Sequence, residues 1–341
     1  MVTMRDVAFA AGVSQATVSY ALRGDASISP STRRRVVQAA KKLNYTVNLS
    51  ARNLKSGRSN AIGVVMQDLR NPYACQLADA ISQYALSRGM QTVIQQTLYD
   101  RRNEASILEH VTSAFCDAVI FSPSKLNAEQ IRSQLNGKPA LLLSPYDDNR
   151  IYDVLYTPAR QAAFVATSYI LASGCKAPTF FGLGYRPLKR IDASRDSGWL
   201  RVAGFEQALA RNNLVPDPAR FIASEDWGYA VSERTMLKAI DAGLRFDSVV
   251  CVNDSTAIGV IRALQRRGLH VPRDVAVIGF DGIAEGEYIT PSLTTIALDF
   301  HDMARKAVDT LLRRLGGEDY ASHPPCQLNA QYRLICREST H

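Results

Sequence analysis

Gly12-Val13-Ser14 separates two short segments that read as helices, and this tight junction constrains the start of the chain more than anything else in it. Before it, Thr3 can cap a helix over Met4 to Ala11, and Asp6, three residues on, completes a capping box. After it, Ser14 can cap a second helix running to about Arg23, with Val18, Ala21 and Leu22 along one face. Two helices joined by a short turn containing Gly form a helix-turn-helix, whose second helix enters a DNA major groove. A third helix follows, with Ser29 as cap, Pro30 in its first turn and Val36, Ala40 and Leu43 at helical spacing. Together with Val7, Ala11 and Val13 these positions can close a three-helix core. Short helical hairpins also occur in ordinary cores, so charge has to decide between the readings.

The chain carries a net charge of +8, and ten bases against two acids up to Asn60 account for all of it. The remaining residues are electrically balanced. A basic head on a neutral body is the footprint of nucleic-acid binding, where phosphate contacts release counterions. These bases sit on helix-forming segments rather than in a low-complexity tail, which sets aside the reading of a solvated basic run.

Val47 to Gly57 can make about two helical turns between an Asn48 cap and a Gly57 stop. So short a helix needs something to pack on. Ala51 and Leu54 share a face, with Arg52 and Lys55 beside them. A small and an apolar side chain flanked by bases suit a minor groove, where an inserted Leu unstacks a base step. The alternative is a flexible linker.

From Ala61 the pattern changes to strand and helix in alternation. Strands are predicted over Ile62 to Met66, Thr92 to Gln95, Ala118 to Phe121 and Ala140 to Leu143, with helices over Pro72 to Arg88 and Glu104 to Ser113. A second series follows Pro158. It has strands near Thr179, Arg220, Ser248 and Val275 and helices over Phe164 to Ser173, Trp199 to Arg211, Val231 to Asp241 and Thr256 to Arg267. Alternation of this kind argues for parallel sheets with helices on both faces, hence two doubly wound α/β lobes behind an all-α head. A ligand would sit beyond the carboxyl ends of the strands. The residues found there are Tyr73, Arg195, Ser197, Trp227, Asn253, Asp254 and Asp281. Carboxylates, an Arg fork and flat aromatics suit a polyol, although Asp254 and Ser197 read equally well as helix caps.

Thr3-Met-Arg-Asp-Val-Ala, Ala11-Gly-Val-Ser, Ala16-Thr-Val-Ser, Leu43-Asn-Tyr and Ala51-Arg-Asn-Leu resemble the head of the lactose-repressor (LacI/GalR) family of bacterial transcription regulators. Asn71-Pro-Tyr, Ile278-Gly-Phe-Asp and Pro291-Ser-Leu-Thr-Thr-Ile resemble its body, so the likeness spans nearly the whole chain. It implies that Gln15, Ala16 and Tyr20 face base edges, that Thr17 and Ser19 meet phosphates or the helix frame, and that Leu54 is a minor-groove wedge. Thr3, Ser14, Asn48, Ala51 and Lys55 complete the DNA-contacting set. Tyr20 stands where many members place Arg, and Tyr cannot read a guanine bidentately.

The resemblance also implies lobes like those of type I periplasmic sugar-binding proteins, crossed three times by the chain. Those crossings are expected near Thr157, Pro291 and His323. The domains are then a head (1–46), a hinge helix and linker (47–60), an N-terminal lobe (61–157 plus 292–323) and a C-terminal lobe (158–291 plus 324–341). Arg195 and Asp281 become the effector-anchoring pair, with Tyr73 and Trp227 as walls. Departures fall at Ala74, Thr157-Pro158 and Gly174-Cys-Lys-Ala.

Other chemistries find no footing. Gly182-Leu-Gly184 lacks the third glycine of a dinucleotide loop, no P-loop or Gly-x-Ser-x-Gly elbow occurs, and the five histidines are isolated. The six cysteines are scattered, as reduced thiols would be, without metal spacing. No apolar run approaches the roughly 20 residues of a membrane span, and no signal segment opens the chain. The expectation is a cytoplasmic, nucleoid-associated, homodimeric repressor without cofactor, not an enzyme. It would bind a near-palindromic double-stranded operator under control of a small effector, a sugar. A nucleobase, another metabolite or a protein corepressor remains open, as does the sign of the response.

Overall fold

A computed structural model describes residues 2–45, 58–145, 151–191 and 196–341, the Arg23 and Ser113 side chains excepted. The expected hinge helix, with Asn48, Ala51, Leu54 and Lys55, lies outside the described residues, as does Arg195. The chain forms two compact units, Met1–Ser59 and Asn60–His341.

The first unit is three helices, α1 (Met4–Ala11), α2 (Gln15–Arg23) and α3 (Pro30–Lys42). Local chemistry starts and stops each of them. The Thr3 hydroxyl accepts from the Asp6 amide while the Asp6 carboxylate accepts from the Thr3 amide at 2.8 Å, the capping box expected from the spacing. Gly12 ends α1 at φ 63°, a left-handed conformation that glycine adopts without strain. Ser14 and Ser29 cap α2 and α3 by accepting from the amides of Thr17 and Thr32 at 3.1 and 3.2 Å. Val7, Val18 and Val36, one from each helix, are fully buried at the centre, with Ala11, Ala21 and Ala40 around them. Small side chains let three short helices approach closely, and this packing stabilises what propensity alone would leave marginal.

The second unit runs in order β1 (Ala61–Met66), α4 (Pro72–Ser87), β2 (Gln91–Gln96), α5 (Arg101–Ser106), β3 (Ala118–Phe121), α6 (Ala128–Leu135), β4 (Ala140–Leu143), β5 (Asp153–Tyr156), α7 (Ala159–Ala172), β6 (Pro178–Gly182), α8 (Ser197–Arg211), β7 (Phe221–Ala223), α9 (Tyr229–Asp241), β8 (Ser248–Cys251), α10 (Asp254–Arg266), β9 (Ala276–Asp281), β10 (Thr294–Leu298), α11 (Phe300–Leu315), β11 (Gln327–Asn329) and β12 (Tyr332–Ile335). Two six-stranded sheets result, ordered β11-β5-β4-β3-β1-β2 and β12-β10-β9-β8-β6-β7. Every neighbouring pair is parallel except β10 with β12. The central strands β1, β3, β4, β8 and β9 are buried throughout, as strands covered on both faces must be.

Two of the expected crossings move. The first lies at Thr157-Pro158, between β5 of one sheet and α7 of the other lobe. The second, expected at Pro291, falls instead after Leu298. The apolar run from Thr294 to Leu298 is a sixth strand of the second sheet, pairing Thr294 with Ile278 and Ala297 with Asp281. The third, expected at His323, falls at Ala330, because β11 pairs with β5 and only then does β12 return to β10. The lobes are therefore 61–157 plus 299–330 and 158–298 plus 331–341. The first is closed by a buried ion pair, in which two Arg314 nitrogens on α11 grip Asp153 on β5 at 2.7 and 2.9 Å.

Candidate DNA-contacting face and effector cleft

In the head, the side chains not needed for the core define the outer face of α2. Val18 and Ala21 point inward, while Gln15, Ala16 and Tyr20 are exposed, Tyr20 at 43%. Thr17 and Ser19 are half-buried on the flank. Thr3 and Ser14 hold helix starts, as their capping bonds show. Among the bases, Arg33 is committed to the fold, since its guanidinium donates to the Asp25 carbonyl at 2.8 Å and closes the loop between α2 and α3. Arg34, Arg35, Lys41 and Lys42 are exposed.

In the body, the carboxyl ends of both sheets meet. Strand β9 ends at Asp281, 4% exposed and held at φ 122°, where a residue other than glycine is rare. Its carboxylate lies 3.4 Å from the guanidinium of Arg201, itself 7% exposed. Arg201 also donates to the Val252 carbonyl at the end of β8, and its guanidinium carbon lies 3.7 Å from the centre of the Phe280 ring. The guanidinium is thus fixed by a carbonyl, an aromatic face and a carboxylate, with its Nε buried and unpartnered. Burial pushes the Asp281 carboxyl up to about 8, the Arg201 charge pulling the other way and Asp254 adding to the rise. From the opposite lobe, Tyr73 on α4 lies near enough to feel the charges of both Asp281 and Arg201. Burial, reinforced by the Asp281 charge, raises its phenol well above the usual value, so it stays a neutral hydrogen-bond donor.

Apart from Arg195, each expected cleft residue has its place. The Trp227 indole donates to the Gly182 carbonyl at 3.2 Å and packs so tightly on the first turn of α8 that a Cβ at Gly198 would meet it at 2.9 Å. It is a half-buried wall between β6 and α8. Ser197 opens α8 but does not cap it, because the Asp196 carboxylate accepts from the Trp199 amide at 3.0 Å. Asn253 caps α10 through the Thr256 amide at 2.8 Å. Asp254, expected to face effector, is fully buried and saturated. One oxygen accepts from Thr295 at 2.6 Å and the other from the amides of Gly282 and Ile283 at 2.7 and 2.9 Å. It fastens the loop that follows Asp281. Burial pushes its carboxyl up to about 6 against those hydrogen bonds. Asn253 and Asp254 therefore build the frame, and Tyr73, Arg201, Asp281 and Trp227 are left as the candidates to meet an effector.

Arg201 is absent from the residues that the sequence singles out. A signal for it exists: an arginine on the apolar side of a helix, among Gly198, Val202 and Phe205, where a charge needs a buried partner. Among the described residues, no cluster of three or more His, Cys, Asp or Glu side chains could hold a metal ion, and no helix is long and apolar enough to cross a membrane.

Comparison with known proteins supports the fold. Residues 3–48 match the family described as bacterial regulatory proteins, lacI family, and residues 167–340 match the periplasmic binding protein-like domain. The transcriptional regulator AscG of Escherichia coli K12 is 28% identical over 345 residues, covering 99% of this chain and 98% of AscG. The repressor CytR of the same organism is 29% identical over 322 residues, covering 94% and 92%. The lac repressor dimer solved on its operator superposes with a TM-score of 0.81 at 25% identity, covering 99% of each chain. A LacI-type regulator from Bifidobacterium animalis gives 0.77 at 27%, covering 82% of this chain and 99% of its own. A helix-turn-helix head, two periplasmic-binding-like lobes and full-length relatives that regulate transcription together make this chain a member of the LacI family, a DNA-binding transcriptional regulator and not an enzyme.

Proposed function

We propose that the chain is a homodimeric repressor whose hold on a near-palindromic operator is set by a small polyol, a sugar, bound between the lobes. The observation that carries the effector class is the buried Arg201–Asp281 pair facing Tyr73 across the cleft. A carboxyl, a guanidinium and a phenol present acceptors and donors in fixed directions, and the Trp227 ring gives a flat face for a sugar ring to lie on. A purine or nucleoside could use the same ring, so the two classes share one test. On the DNA side, Gln15, Ala16 and Tyr20 read base edges, Thr17 and Ser19 position the helix on phosphates, and Leu54, with Asn48, Ala51 and Lys55 around it, acts in the minor groove. The lac repressor to which this chain is similar was solved as a dimer on operator with an anti-inducer, which supports the assembly and both partners.

The test is thermal unfolding of the full chain against sugars, sugar phosphates and nucleosides. A ligand at about 100 times its Kd adds roughly 2.7 kcal/mol to the stability of the state it binds. We expect a sugar to raise Tm in the native protein, and the rise to vanish in Asp281→Ala and in Arg201→Met. A rise given only by nucleosides would transfer the proposal to that class. No response across the panel would favour a protein corepressor.

A further inference from the structure

One contact between the lobes lies outside the effector-facing residues. Gln76 follows Tyr73 by three positions on α4, so the two share a helix face one turn apart. Its side-chain amide works in both directions on the other lobe. Nε2 donates to the Glu285 carboxylate at 2.8 Å, and Oε1 accepts from the Ala284 amide at 3.1 Å. Ala284 and Glu285 are the third and fourth residues after Asp281, where a short helical turn (Glu285–Tyr288) follows the loop whose Gly282 and Ile283 amides are held by buried Asp254. The loop is therefore stiff from the anchor to the latch. Tyr73 lies near enough to Asp281 to feel its charge, and Gln76 is hydrogen-bonded to 284–285, so both address the same segment of the other lobe. At another point of the rim, the Asp226 carboxylate of the C-terminal lobe lies near enough to Arg70 and Tyr99 of the N-terminal lobe to act on both electrostatically.

We infer that Gln76 is a positioning residue for effector binding: its two-way amide bridge to Ala284 and Glu285 holds the lobes closed, so that Tyr73 reaches the Arg201–Asp281 pair without Gln76 touching the effector. The inference rests on the effector reading above. An amide donates to a carboxylate and accepts from a backbone N–H at once, and a ligand that needs the closed arrangement loses affinity in proportion to its depletion.

The bridge can be broken and rebuilt with its polarity reversed. In Gln76→Glu two carboxylates oppose each other and nothing donates to Glu285. In the double variant Gln76→Glu/Glu285→Gln, the new carboxylate accepts from Ala284 and from the new amide, restoring both bonds. Two readouts on the full chain are used. In amide hydrogen exchange of the ligand-free protein, we expect Gln76→Glu to speed exchange at least threefold in 97–99 and 224–228, segments the bridge does not touch, and the double variant to restore it. A purely local role would change 282–285 alone, and that outcome overturns the inference. In titration with the stabilising sugar, we expect about tenfold weaker binding in Gln76→Glu and recovery to within about twofold in the double variant. Unchanged affinity in the single variant, or no recovery in the double, also overturns it. If no sugar binds the native chain, the effector reading fails, and hydrogen exchange still decides the bridge.

Discussion

Asp281 concentrates the chemistry of the body in one residue. It combines positive φ, near-complete burial and a partner that is itself pinned, and conformations of this kind persist only where the surroundings over-determine them. Here Asp254 holds the next two amides, Thr295 holds Asp254, and Gly282 must be glycine because a Cβ would come within 2.5 Å of Ala297. Asp281 is legible in the sequence as a strand-end acid in a matching motif. Arg201 is not, because loops and strand ends draw the eye away from a charge inside a helix, and the sequence offers Arg195, outside the described residues, as the partner of Asp281. Asp254 is visible as a strand-end acid while its role is hidden, since only three dimensions show that both of its oxygens are occupied. At this scale the DNA prediction concerns Tyr20. It is exposed on the outer face of α2 and carries one hydroxyl where a planar fork would give a bidentate contact. In selection from a random duplex pool, Tyr20→Arg is expected to shift one half-site position towards guanine, with discrimination of about 1–3 kcal/mol. An unchanged half-site would remove Tyr20 from the base-reading set.

Among the elements, those with strong punctuation are the most readable. The capped helices of the head and the strands over Ala118–Phe121 and Ala140–Leu143 stand where the residues put them. Apolar spacing predicts a single helix over Glu104 to Ser113. The segment instead begins with the α-turns of α5 and then widens into a π-helix over Ile107–Thr112, a register change that such spacing does not reveal. Beyond Pro291 the sequence reading assigns the chain to lobes without naming elements, although Met303, Ala307 and Leu311 on α11 keep a helical period. Helix α8 holds a second buried charge without Arg201's compensation. Glu206 is 3% exposed, one of its oxygens has no partner, and burial pushes its carboxyl up to about 7. A carboxyl raised in the folded state binds a proton there that the unfolded chain has already released. Its stabilising contribution is thus complete below its ordinary value near 4.5 and is lost as pH rises to about 7. Glu206→Gln should match the native protein in Tm at pH 4.5 and exceed it at pH 8, where each tenfold difference in proton affinity between the folded and unfolded chain is worth about 1.36 kcal/mol. Parallel Tm curves across that range would show that Glu206 is solvated in solution.

For the molecule as a whole, the division of charge is plain from composition, but its division of labour is not. The head and hinge up to Asn60 carry the entire net charge, yet Arg33 commits its guanidinium to the Asp25 carbonyl while Arg34 and Arg35 stay exposed. Operator affinity should therefore fall with salt at a slope of about −0.9 per phosphate contacted. Arg34→Ala and Arg35→Ala should each reduce that slope by about one. Arg33→Ala should lower the melting temperature of the head and leave the slope nearly unchanged. Equal slopes for all three variants would mean that the structural distinction among these arginines does not survive on DNA.

The late return of the chain, β11 to one sheet and then β12 to the other, has a consequence for biosynthesis. Three capped helices can be complete once residue 45 has left the ribosome, whereas both sheets wait for residues 327–335 to supply an outer strand. Through most of translation the nascent polypeptide thus presents a finished basic head on an unfinished body. A premature stop anywhere between β10 and β11 would release a chain whose three-helix head is complete and whose two sheets each lack an outer strand.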